Sequence, residues 1–122
     1  MIYIAAYLSV FMFIGHMVMG IKLYLKPMLK SNTEDIASKV MHSVFHYVSI
    51  VMLMSAIGLI VFAHGISDLS SDVVMFIGVF YVSCGLLQFV MAMKTDGVKG
   101  LIKMFQWTMF LSIGILSILA VL

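Results

Sequence analysis

Two histidines one helical turn apart, His42 and His46 in "SKVMHSVFHYVSIVML" (38–53), stand in a run apolar enough to lie in lipid. A third, His16, has a comparable setting in "FMFIGHMVMG" (11–20). Hydrocarbon disfavours a charged imidazole, so these rings are expected neutral, each with one donor and one acceptor nitrogen. In that form imidazole ligates transition metals and haem iron. The other two apolar runs carry one glutamine each, Gln88 and Gln106.

The elements that must position these side chains follow from composition. The chain has 122 residues, 64% apolar and 10% charged, against roughly 25% charged in soluble domains. Four runs, at about 2–24, 40–63, 73–93 and 101–122, approach the ~20 apolar residues that cross a bilayer. They use most of the chain and leave no room for a soluble domain. The reading is an all-α integral membrane protein with one four-helix transmembrane domain over 1–122. Short connections make it an up-down-up-down antiparallel bundle. The first run lacks a basic leader and an A-x-A type cleavage site, so it is expected to be a retained helix. Cys84 is the only cysteine, which leaves no intrachain disulfide and no CxxC motif.

Charge sets the expected orientation. Lys22, Lys26, Lys30 and Lys39 flank the first connection, and Lys94, Lys99 and Lys103 flank the third. The second connection, "HGISDLSSD", and both termini have no lysine or arginine. The positive-inside rule then puts the first and third connections in the cytoplasm and both termini outside, in a cytoplasmic membrane. A net charge of +2 is the trace of these interfacial lysines, and no nucleic acid partner is expected.

Local punctuation agrees. Pro27 should end the first helix, since proline has no N–H and blocks helix continuation. Ser31 followed by Glu34 fits a capping box, with Asp35 suited to the positive end of the helix dipole. Ser70 or Ser71 with Asp72 can start the third helix, and Asp96-Gly97 with Gly100 can make a tight turn into the fourth.

Counting inward from the lysines at 1.5 Å per residue brings the polar groups to one level. His16, His46 and Gln88 each lie roughly 9–10 Å deep on that rise, and Gln106 with Thr108 somewhat shallower. Stripes of small and polar residues suit helix–helix contact in lipid. They are Ala5, Ser9, Met12, His16 and Gly20; His42, His46, Ser49 and Ala56; and Gly78, Tyr81, Gly85, Gln88 and Ala92.

This layer supports several chemistries. His16 and His46 could be axial ligands of a b-type haem, with Gln88 and Gln106 completing a redox cofactor site. His16, His42 and His46 could instead hold zinc or copper. The plain alternative is interhelical hydrogen bonding without cofactor, in an accessory or assembly subunit that meets a membrane protein partner or forms a homo-oligomer. A transporter of small solutes or ions is the third class, but none of the five acidic residues falls within an apolar run. No reaction can be assigned from these residues, so enzyme activity stays open.

The segments "GIKLYLKPML", "KVMHSVFHYVSIVML" and "LIKMFQWTMF", together with the hydropathy layout, give the chain a look similar to small bacterial four-helix membrane proteins. These include the haem-binding protoporphyrinogen oxidases and the copper-resistance D type. The resemblance implies a membrane four-helix fold. It carries no catalytic residue across, because the third helix offers Gln88 and no internal lysine.

Overall fold

The computed structural model describes residues 1–32 and 34–122, and the described residues form helices and short connections without a strand. The helices are α1 (Ile2–Leu29), α2 (Asp35–Ala63), α3 (Ser71–Lys103) and α4 (Gln106–Val121). The first three are long and apolar enough to cross a membrane. At 1.5 Å per residue the 28 and 29 residues of α1 and α2, and the part of α3 before Asp96, exceed the ~30 Å hydrocarbon thickness. The 16 residues of α4 span only about 24 Å, so the fourth run is broken where a single helix over 101–122 was expected.

That break belongs to a hairpin. Inside α3 the backbone leaves helical geometry at Asp96 (φ −151°, ψ 27°) and Gly97 (φ 56°, ψ −137°). In a straight helix Ala92 and Gly100 would stand about 12 Å apart along the axis. Instead a Cβ on Gly100 would collide with the Ala92 carbonyl oxygen. The chain therefore reverses at Asp96-Gly97, as the dipeptide predicts, and residues 98–103 run back along α3. A second irregularity at Met104 (φ −112°, ψ 49°) separates them from α4. Further along the hairpin Gly78 lies against Gly114, and Gly85 against Leu111.

The first helix does not stop at Pro27. It is α-helical over Ile2–Gly15, π-helical over His16–Leu25 and α-helical again over Lys26–Leu29. The Lys26 N–H reaches back five residues to the Ile21 carbonyl. Pro27 then sits in the first positions of a new α-turn, where its missing N–H costs nothing. The capping box also gives way. α2 begins at Asp35 with Glu34 in the cap position, and Ser31 Oγ donates to the Met28 carbonyl at 2.6 Å. Ser70 does cap α3: its Oγ accepts from the Asp72 N–H at 3.1 Å.

Two hairpins, α1/α2 and α3/α4, join through α1 and α4, whereas the consecutive helices α2 and α3 touch little. Consecutive helices are neighbours as expected, but α2 and α3 meet only loosely, where a Cβ on Gly58 would stand 3.3 Å from Ile77 Cδ1. The core is small and tight: Ala5, Ala6 and Ser9 of α1, Ala56 and Leu59 of α2, Val74 and Tyr81 of α3, and Ile113 and Ser117 of α4. Phe11, Val18, Ile36, Phe76 and Leu87 are among many large apolar side chains facing outward. In water that surface would be a liability. Against acyl chains it is the expected exterior.

Candidate functional site

At the lysine-rich end, α1, α2 and the stretch 103–110, with Gln88 of α3, line an open-sided cavity of about 630 Å³. Most of its wall is apolar, from Phe11, Met12, Met52, Met109 and Phe110 among others. His16, Tyr24, Gln88, Gln106 and Lys103 supply the polar part. A largely apolar hollow of roughly 300–1,000 Å³ with a few convergent polar groups is the ordinary form of a small-molecule or cofactor site.

His16 stands where the π-helical stretch of α1 begins, and π-turns are frequent at functional sites. Its ring stacks on Phe45 of α2, with centroids 4.3 Å apart and planes 16° from parallel. Its Nε2 lies 3.1 Å from Ser49 Oγ. Ser49 Oγ donates its own proton to the Phe45 carbonyl at 2.9 Å. The hydroxyl can then only accept from the imidazole, so the proton sits on Nε2 and Nδ1 keeps the lone pair. Gly20 makes room for this stack: a Cβ there would stand 3.0 Å from the Phe45 ring and 3.7 Å from His16 Nδ1.

A second polar group joins three helices. Gln88 Nε2 donates to Gln106 Oε1 at 3.3 Å, and Gln106 Nε2 donates to Tyr24 Oη at 3.0 Å. With one bond accepted, the Tyr24 hydroxyl proton and the remaining amide hydrogens are donors for a guest in the cavity. Lys103 brings a cation to the rim, where Asp96 holds its ammonium at 2.6 Å. Among the described residues the wall includes no carboxylate, so the guest it suits carries acceptor atoms at one end.

The structure therefore brings His16, Gln88 and Gln106 to one cavity and leaves His46 and His42 outside it. Depth was the wrong test for His46. It follows Phe45, which lines the cavity, and is rotated about 100° from it around the helix. Its Nε2 lies 3.1 Å from His42 Nε2 on an exposed face of α2. Among the described residues no group of three or more His, Cys, Asp and Glu side chains could hold a metal ion, so His16, His42 and His46 do not assemble as one ligand set. Thr108 Oγ1 bonds to the Phe105 carbonyl within its own helix.

Two participants escaped the reading of the sequence. Tyr24 lies among the interfacial lysines, where tyrosine ordinarily anchors to the membrane surface. Phe45 is one apolar residue among many, and no periodicity marks it as the ring that carries His16. At the opposite end Tyr7 Oη lies 3.1 Å from His64 Nε2, and the Tyr3 ring meets His64 edge-on. His64 is thus tied to α1. All five acidic side chains are exposed. In comparisons with known proteins, the chain matches no family model, no curated protein and no solved structure.

Proposed function

We propose that this is a small multi-pass protein of a bacterial cytoplasmic membrane that holds a lipid-soluble cofactor in the cavity beside His16. A b-type haem is the redox-active form of that reading. The cavity of about 630 Å³, apolar in most of its wall and headed by an imidazole, carries it. His16 is the one histidine lining the cavity among the described residues, and the thioethers of Met12, Met52 and Met109 line it from three helices. Histidine with methionine is an established axial pair for haem iron. Ligation through Nε2 would displace the Ser49 bond, whereas Nδ1 is already free of a proton. Tyr24, Gln106 and Lys103 would bind carboxylates or other acceptors at the rim. A bound haem supplies electron transfer; the chain's own residues orient it, exclude water and fix its polar edge.

The same proposal includes four crossings, with both termini outside and the lysine-flanked connections in the cytoplasm. The lysine asymmetry supports it, and so does the return arm formed by residues 98–103 with α4.

The test is the absorption spectrum of the protein purified in mild detergent, with mass spectrometry of its organic extract. A haem gives a sharp visible band that His16→Ala abolishes and His64→Ala leaves intact. A colourless preparation with another lipid-soluble molecule, bound one per chain and lost in His16→Ala, would keep the cavity reading and discard haem. A colourless, empty preparation that copurifies with other membrane subunits would replace both with the accessory role.

A further inference from the structure

We propose that His42 and His46 chelate one divalent transition-metal ion at the lysine-rich end of α2, at a site separate from the cavity. Their Nε2 atoms approach to 3.1 Å, with ring centroids 5.0 Å apart and planes tilted by 45°. An i, i+4 pair lies on one helix face. Here the same nitrogen of each ring is turned toward the other. Metal–imidazole bonds are typically 2.0–2.1 Å. An ion at that distance from both nitrogens would see them at roughly 100°, between the tetrahedral and square angles.

The protonation change is simple. In the free protein one Nε2 carries the proton shared across the 3.1 Å contact. On binding, that ring takes its tautomer with the proton on Nδ1, and both Nε2 lone pairs face the ion. No proton is lost and no redox step is involved.

His42 is exposed and His46 half-buried, and His42 lies only about 4.5 Å in from Lys39 at the helical rise. The Lys39 ammonium is tied to Asp35 at 2.5 Å, which holds the nearest cation on α2 to a carboxylate one turn earlier. Phe45 stands between the two imidazole systems. It stacks on His16 with one face and meets His46 edge-on, with centroids 5.5 Å apart. The chelate and the cavity are therefore distinct sites, since neither His42 nor His46 lines the cavity.

Two neutral nitrogens select the class of ion. Imidazole suits copper, nickel and zinc, whereas magnesium and calcium take oxygen ligands. Structural zinc sites are closed by four protein ligands. A two-histidine site leaves the remaining positions to water or an exchangeable ligand, so the ion is held reversibly.

The test uses the full chain without an affinity tag, in detergent micelles and a non-chelating buffer, titrated calorimetrically with ZnCl2 and with NiCl2. One ion per chain should bind. His42→Ala and His46→Ala should each weaken binding at least tenfold, and His16→Ala and His64→Ala should leave it unchanged, as should a fivefold excess of MgCl2. Copper(II) added to the unsubstituted protein should broaden the His42 and His46 ring proton signals first, which reads the site without any variant. The proposal is overturned by the absence of saturable zinc or nickel binding, or by full binding in His42→Ala. It is equally overturned by a matching loss in His16→Ala, or by copper broadening that begins at His16 or His64. Loss of the cavity cofactor in His16→Ala with zinc binding intact would separate this site from the one proposed above.

Discussion

Gly114→Ala, compared with Gly15→Ala, isolates the close approach on which the α3/α4 hairpin depends. A Cβ on Gly114 would stand 2.7 Å from the Gly78 carbonyl oxygen and 2.8 Å from the Val82 backbone nitrogen. Ordinary contact begins near 3.4 Å, so the two helices must part by about 0.7 Å along that line. The Val82 Cγ2 methyl also stands 2.7 Å away, but two of the three obstructing atoms are backbone, which no rotamer change removes. Both substitutions gain the same helix propensity, about 1 kcal/mol for glycine to alanine, while Gly15 has nothing within 4 Å of its would-be Cβ. The difference between the variants therefore reports the overpacking alone, expected at about 1–3 kcal/mol. Unfolding in mixed micelles with increasing SDS, followed by far-ultraviolet circular dichroism, measures it. Gly114→Ala should unfold at a clearly lower SDS fraction than Gly15→Ala. Equal midpoints for the two would refute the packing argument, and with it the placement of Gln88 against Gln106, which rests on the same hairpin.

Gly97→Ala should destabilise the protein by about 1–3 kcal/mol in the same assay, because φ 56° with ψ −137° is backbone that only glycine adopts without strain. For orientation, single cysteines at Asn32 and Ser67 in a Cys84→Ser background, treated with a membrane-impermeant maleimide, should label from opposite sides. Ser67→Cys should react in intact spheroplasts and Asn32→Cys only after lysis; the reverse pattern would invert the topology.

The turn at Asp96-Gly97 and the Ser70 cap could be read in advance because each is a local requirement with a local chemical signature. The end of α1 could not. Proline forbids one hydrogen bond, but whether the chain stops or widens into a π-turn depends on what packs around it. Here Phe45 of α2 presses against Gly20, within the widened stretch. The polar layer was half legible for a related reason. Counting residues gives the height of a side chain in a helix; its azimuth relative to neighbouring helices comes only from assembly. Ser49 and Gly20 lay on the stripes assigned to helix contact and are buried there, whereas His42 and His46, on the stripe assigned to α2, turn outward.

Composition and lysine placement alone established an all-helical chain with apolar runs of membrane-crossing length, since transfer into hydrocarbon depends on side chains summed along each run. Tertiary structure alone decided which of the nitrogen-bearing residues share a space. It sent His16, Gln88, Gln106 and the unforeseen Tyr24 to one cavity, and it faced His42 and His46 toward each other on another surface. The physical reason is that hydrophobicity is nearly the same on all sides of these helices. Rotation about each axis is therefore set by close steric fits such as Gly78 against Gly114; the stripe in α3 marks one side of that fit, and assembly alone supplies the partner.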